Sequence, residues 1–171
     1  NMLISWYDSM VKSGSVSYGD AVNDYNKHWM MDDENGVRGV DEFFMNYNWY
    51  ASKITSTINT MKSINRSQFD AFAGIDVQQN CMDTYFSDDI IVDEDGLARI
   101  SLALYCPNST LGLSADGAQF HQVERTFYTN AKSDPRDYSV NLSSSAWAGM
   151  SRFFADKTPI TSAPFVTDFN S

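Results

Sequence analysis

The sequence predicts an α/β fold built on a parallel sheet. Four apolar runs each end in polar or aromatic groups, and helical or loop stretches separate them. Four such βα units are half of an eight-stranded barrel or one open sheet, and composition alone does not decide between the two. In a parallel α/β barrel the carboxyl ends of the strands carry the active site.

The first run, Met2-Leu-Ile-Ser-Trp-Tyr-Asp8, is an apolar strand that ends in Trp, Tyr and Asp. Gly14 and Gly19 punctuate a loop, and Asp20 to Met31 is expected to be helical, with Ala21, Val22, Tyr25, His28 and Trp29 on or beside one face. Asp32-Asp-Glu-Asn-Gly36 reads as a turn. The second strand spans about 41 to 48. A helix follows over Tyr50 to Lys62, where Ile54, Ile58 and Met61 recur at helical spacing although Thr and Ser weaken the propensity. Asn65 to Phe69 suggests a short helical turn. The third strand is Ala71 to Gln78, and a polar stretch after it ends in Asp93-Glu-Asp-Gly96. The fourth strand, about 99 to 105, is closed by Cys106-Pro107. Residues 118 to 130 and 145 to 155 read as helices. Pro159 and Pro164 bracket a linker, and Phe165 to Asn170 reads as a further strand.

Of 171 residues, 43% are hydrophobic and 14% aromatic, so a globular domain with a real core is expected. The net charge of -10 argues against a nucleic-acid partner, which requires a basic stripe. Cys81 and Cys106 fit neither a disulfide framework nor a zinc site and read as two unpaired thiols. No stretch approaches the roughly 18 apolar residues of a membrane span, and no signal peptide is seen. The chain opens on Asn and ends in mid-pattern at Ser171, which suggests a piece of a longer protein. Asp93-Glu-Asp-Gly96 is a turn rather than a calcium loop, because the remaining ligand spacing is absent. His28 and His121 lack a metal-site context. Asn65-Arg-Ser67, Asn108-Ser-Thr110 and Asn141-Leu-Ser143 match the glycosylation triplet, which matters only in a eukaryotic secretory host. No cofactor and no metal are expected.

The stretch Asp41-Glu-Phe-Phe-Met-Asn-Tyr-Asn-Trp49 carries the clearest chemistry. Phe43, Phe44 and Met45 suit a strand covered on both faces. Asn46, Tyr47, Asn48 and Trp49 then place hydrogen-bonding and stacking groups at its carboxyl end. A sugar needs both: its hydroxyls take donors and acceptors, and its C–H faces take a ring.

Ser5-Trp-Tyr-Asp-Ser9 with Asn23 to Asn26, then Asp41 to Trp49, then Gly74-Ile-Asp-Val77 resemble glycoside hydrolase family 85, the endo-β-N-acetylglucosaminidases. Ala146-Trp-Ala-Gly and Pro164 to Asn170 are similar to that family's passage from the barrel into its next domain. The resemblance implies a (β/α)8 TIM barrel, with this chain as strands five to eight. Residues 1–157 would be the carboxyl-terminal half of the catalytic domain, and 158–171 an exit segment toward a following domain. It implies cleavage between the two N-acetylglucosamines of an N-linked glycan, by a retaining, substrate-assisted mechanism through an oxazolinium. The partners implied are an N-linked glycan or glycoprotein and the remainder of the same barrel, with no nucleic acid and no membrane. The compartment is left open between a secreted or cell-surface bacterial setting and the cytoplasm.

The family's catalytic Glu and orienting Asn, spaced Asn-x-Glu, would lie upstream of residue 1. None of Glu34, Glu42, Glu94 and Glu124 closes a strand after an Asn two positions earlier. The resemblance gives Tyr7 the acetamido group, to favour the charge that develops as the oxazoline forms. Trp49 would be a stacking floor and Asp76 a pocket carboxylate; the alternatives are a core Trp and a turn residue. Asn46 and Tyr47 are further candidates for the substrate, subject to the alternation of side chains along a strand. Gln78 and Tyr105 are expected at the rim, and Tyr18 over the acceptor side. Where the family usually has indoles, near Ser109 and Thr110 and in the helix around Glu124 to Tyr128, this chain has none. Glycan preference among high-mannose, truncated core and complex types therefore stays open. A non-catalytic glycan-binding barrel or truncated remnant is the alternative.

Overall fold

A computed structural model of the chain describes residues 2–85, 87–95, 97–130, 147 and 149–153. Its centre is a four-stranded sheet, β1 (Ser5–Tyr7), β2 (Glu42–Met45), β3 (Ala71–Asp76) and β4 (Ser101–Tyr105). The strands are all parallel and lie in the order of the sequence. Parallel neighbours need a crossover between them, and the intervening segments supply it.

One face of the sheet is the core. Phe43 and Met45 of β2 and Ala71, Ala73 and Ile75 of β3 point into it and are buried. Helix α1 (Ala51–Ser63) covers that face with Ile54, Thr57, Ile58 and Met61, the i, i+3, i+4, i+7 stripe of an amphipathic helix. Thr57, a poor helix former, accepts a hydrogen bond from the backbone N–H of Val22 at 3.0 Å and so ties the helix to the loop beneath. The opposite face carries Ser5 and Tyr7, Glu42 and Phe44, Phe72, Gly74 and Asp76, and Ser101, Ala103 and Tyr105, by register. Its residues are mostly half-buried or exposed.

Helix α4 (Gly117–Thr129) matches expectation, and Asp116 caps it by accepting from the Gln119 N–H at 2.9 Å. Two short helices, α2 (Asp88–Ile91) and α3 (Ser109–Gly112), lie where no helix was expected. The turns at 32–36 and after Asp93 are built alike. Asp33 Oδ1 accepts from the Asn35 and Val37 N–H groups, and Asp93 Oδ1 from those of Asp95 and Leu97. Each precedes a strand, β2 or β4.

The expected helix over Asp20–Met31 is not there; only Lys27–Met30 forms a short 3-10 turn. Asparagine side chains take the backbone away from it. Asn26 Oδ1 accepts from Asn23 N–H, Asn26 Nδ2 donates to the Ala21 carbonyl, and Asn23 Oδ1 accepts from Tyr25 N–H. The first strand is shorter than read, with Met2 and Leu3 exposed. Near the carboxyl end only a 3-10 turn, Met150–Arg152, is described. The expected strand over 165–170 and the 158–171 segment lie outside the described residues. Among the described residues no helix is long and apolar enough to cross a membrane.

Arg66 fastens the amino ends of the sheet. Its guanidinium is buried and donates to the carbonyls of Met30, Val40 and Asp41 and to the Asp70 carboxylate. Arg66→Met would strand all four acceptors, three of them backbone. The expected loss is about 3–5 kcal/mol of unfolding free energy, read from the urea midpoint; a loss under about 1 kcal/mol would assign the site no more than a surface pair.

Candidate functional site

The four strands deliver their last residues to one rim. Tyr7 closes β1, Asn46 and Tyr47 follow β2, Asp76 ends β3 and Tyr105 pairs with it at the end of β4. The Tyr7 hydroxyl donates to Asn46 Oδ1 at 2.8 Å. The Tyr7 ring lies 6.1 Å from Tyr18, 6.3 Å from Tyr47 and 5.6 Å edge-on from Phe44, and Tyr47 lies 5.8 Å from Tyr105. Tyr7, Tyr18 and Tyr105 are exposed. Five of the eight expected residues thus form one aromatic and amide cluster.

Asn46 and Tyr47 both join it, contrary to the alternation expected of a strand. The strand ends at Met45, so the pleat no longer dictates where the next two side chains go. Tyr47 also leans on Gly74. A Cβ there would stand 2.6 Å from the Phe44 ring, 3.1 Å from the Tyr47 ring and against the Met45 carbonyl. Only glycine lets both rings lie down on β3.

Behind that glycine, Trp49 is 8% exposed and its indole N–H donates to the Gly74 carbonyl at 2.7 Å. It belongs to the core cluster and shows the surface only an edge, so it is not an open stacking floor. That edge helps line a cavity of about 400 Å³ with Tyr47, Asn48, Asp76, Thr84 and Tyr85. Asp76 accepts from the Gln78 N–H at 2.9 Å, a turn bond that leaves its other oxygen to the cavity. Gln78 itself is exposed, on the turn beyond.

Three further residues, Asp8, Asp20 and Lys53, none of them among the site candidates read from the sequence, hold this rim. Asp8 follows Tyr7 and is 1% exposed. Its carboxylate accepts from the N–H groups of Gly19, Asp20 and Asn46 and from Asn26 Nδ2. Burial pushes its pKa above the ordinary carboxylate value, and the backbone donors only partly offset that. Asp20 stands in the left-handed region, at φ 51°. One of its oxygens accepts from Asn46 Nδ2 at 2.8 Å and Asn48 N–H at 3.3 Å, the other from Lys53 Nζ at 2.7 Å. Burial would raise its pKa, but Lys53, Asn46 and Asn48 outweigh burial and hold it below the ordinary value. The Tyr47 phenol is pushed well up by burial, by the Tyr7 hydroxyl beside it and by Asp76, so it stays protonated. Burial also raises Tyr7, against a lowering contact from Tyr47.

The arrangement can hold a polyhydroxylated ring. Phenols and an amide supply donors and acceptors, a carboxylate supplies an acceptor, and aromatic faces supply stacking. It offers no accessible glutamic acid. Glu34 and Glu94 sit in the hairpins before β2 and β4, Glu42 opens β2, and Glu124 is on α4.

A family model described as glycosyl hydrolase family 85 matches residues 1–171. The cytosolic endo-beta-N-acetylglucosaminidase of Mus musculus is 26% identical over 169 residues, 98% of this chain and 19% of that protein. The Homo sapiens protein of the same name is 25% identical over the same spans. The glycoside hydrolase domain of Endo-D from Streptococcus pneumoniae superposes with a TM-score of 0.74 at 31% identity, covering 86% of this chain and 23% of that one. The chain thus spans about a fifth of the length of these relatives.

The Lys53–Asp20 pair predicts a pH signature. Asp20's folded pKa lies below its unfolded value of about 3.9. The stability it contributes is therefore present above about pH 4 and lost as pH falls through the folded value. Lys53→Met should lower unfolding free energy by about 1 kcal/mol at neutral pH. The gap from wild type should close toward about pH 2.5. Urea titrations at both pH values check this, and a gap unchanged by pH would assign the loss to the lysine's methylene stem.

Proposed function

The chain belongs to glycosyl hydrolase family 85, and from that premise we propose that it forms the glycan-holding half of an endo-β-N-acetylglucosaminidase barrel. The half comprises strands five to eight of a (β/α)8 TIM barrel, residues 1–157, with 158–171 leading toward a following domain. The observation that carries the proposal is the rim itself. Four consecutive parallel strands bring Tyr7, Asn46, Tyr47, Asp76 and Tyr105 to one end, where barrel enzymes bind their substrates.

The sheet's second face supports the half-barrel. It is lined by Phe44, Phe72, Ala103 and Tyr105 and stands open, and the outer strands β1 and β4 each have one unpaired edge among the described residues. Such a face and such edges call for further strands. The remainder of the same barrel is the partner that fits them.

The substrate is the N,N′-diacetylchitobiose core of an N-linked glycan. Its own acetamido oxygen attacks the anomeric carbon with retention, and an oxazolinium forms. Tyr7 contacts the acetamido group and favours the developing charge. Asp76, Gln78 and Tyr105 meet hydroxyls, Tyr47 and Tyr18 offer ring faces, and Trp49 closes the cavity behind Tyr47. The general acid and the residue that orients the acetamide come from an Asn-x-Glu pair about 25 to 35 residues before Trp6, one βα spacing. No metal and no cofactor are required for this chemistry.

The absence of a glutamate at the rim favours a second reading, a barrel that binds glycans without cleaving them. Enzyme assays separate the two. The full-length protein should release glycan from a high-mannose glycoprotein, and residues 1–171 alone should not. Tyr7→Phe in the full-length protein should lower kcat on the order of 10²-fold with little change in KM. Turnover by residues 1–171 would overturn the missing-acid assignment; an unchanged kcat in Tyr7→Phe would overturn the acetamide role.

A further inference from the structure

We infer that Lys53 and Asp20 are positioning residues that lock the Asn46 amide, and that the lock makes the Tyr7 hydroxyl a hydrogen-bond acceptor toward bound sugar. The inference rests on the site proposed above and deepens it.

An amide has two unlike ends, and its neighbours decide which way it points. Asp20, ionised, can only accept. It takes Asn46 Nδ2 at 2.8 Å, so Asn46 must turn its carbonyl oxygen the other way. That oxygen meets the Tyr7 hydroxyl at 2.8 Å. Tyr7 has one proton, and Asn46 receives it. The Tyr47 hydroxyl contacts the same oxygen, so what the phenol can still show the pocket is its remaining lone pair. The bound sugar must therefore donate to Tyr7, through its acetamido N–H or a ring hydroxyl. Such an acceptor also suits a cationic oxazolinium, whose N–H becomes a stronger donor as charge develops.

Lys53 completes the lock. It is rooted in the first turn of α1 and donates to Asp20 at 2.7 Å and to the Gly19 carbonyl at 3.0 Å. It fills the Asp20 oxygen that Asn46 does not use. The order is then fixed from end to end: ammonium, carboxylate, amide, phenol, sugar. Each group is held by partners in the protein, the phenol by Asn46 and Tyr47, so the polarity at the pocket is set before the ligand arrives.

The polarity makes an unusual prediction for a double-mutant cycle. Asp20→Asn leaves one acceptor and one NH₂ at position 20. The charged Lys53 claims the acceptor, because its charge-assisted bond outranks the longer one from Asn48. The NH₂ then faces Asn46, whose amide flips, and Tyr7 is forced to accept from it and to offer its proton to the sugar. Removing Lys53 as well frees the position-20 oxygen to accept from Asn46 again.

In the full-length protein, Asp20→Asn should lower kcat on a chitobiose-core glycan about 10²-fold, with KM within about twofold. Lys53→Met alone should cost about threefold to fivefold, since the carboxylate still only accepts but loses the partner that holds it toward Asn46. The double variant should recover about tenfold over Asp20→Asn, the coupling expected of residues sharing one network. A purely structural role predicts losses that multiply, and a double variant at or below Asp20→Asn overturns the inference. If Asp20→Asn does not fold, 3-fluorotyrosine at position 7 decides in the wild-type background. Fluorine makes the hydroxyl a better donor and a poorer acceptor, so kcat should fall; an unchanged or higher kcat overturns the acceptor role. If the wild type releases no glycan, the proposed activity fails. The same variants, read by calorimetric binding of N,N′-diacetylchitobiose, then decide the lock. A wild type that neither cleaves nor binds overturns both.

Discussion

Asp8 is a carboxylate at the end of a sheet strand with almost no contact with water. Taking such a group from solvent costs several kcal/mol unless donors replace its hydration. Gly19, Asp20, Asn26 and Asn46 do so, and three of these bonds come from the backbone. The geometry this imposes reaches far. The chain after Gly19 must bend to bring two successive N–H groups onto one carboxylate, which puts Asp20 in the left-handed region. From there Asp20 faces Asn46 and Lys53 instead of solvent. The amide at the rim, and through it the Tyr7 hydroxyl, inherit their orientation from a buried carboxylate.

The two faces of the sheet divide the work. On the helix face, Phe43, Met45, Ala71, Ala73 and Ile75 are sealed by the α1 stripe and give the strands a fixed plane. On the other face, the one residue without a side chain sits where the aromatic groups are densest. Gly74 lets Phe44 and Tyr47 lie across β3, and its carbonyl anchors Trp49 from the core side. The pocket wall and the core thus share one backbone position. Packing against a rigid sheet is what keeps exposed rings in place, since a phenol at the surface has little else to hold its torsions.

This division explains what could be read from the sequence. The strands were legible because each apolar run is short and ends abruptly in polar groups, and α1 because Ile54, Ile58 and Met61 keep one period. Tyr7, Asn46, Tyr47 and Tyr105 were legible from their position at strand ends. The segment from Asp20 to Met31 was misread because its apolar residues mimic a helix face while Asn23 and Asn26 bond the backbone locally. Trp49 was misread as an open platform because nothing in an Asn-Tyr-Asn-Trp run says which ring turns inward. Only the Gly74 carbonyl, 25 residues on in sequence, settles it. Lys53 had no sign at all: a lysine in the first turn of a helix is ordinary, and its meaning comes from Asp20, 33 residues earlier.

The same geometry limits what this sheet can do with a proton. Asp8 is the buried carboxyl whose pKa rises, the usual mark of an acid catalyst. Yet all of its partners are donors, which serve the anion, and its burial gives a ligand no path to it. Asp20 is drawn the other way, toward the anion, by Lys53. Tyr47 is held neutral by burial, and then by Tyr7 and Asp76. Asp20 and Tyr47 are thus each biased toward one protonation state, while Asp8 stands between its burial and its four donors. A surface of that kind fixes hydrogen-bond direction and ring contacts.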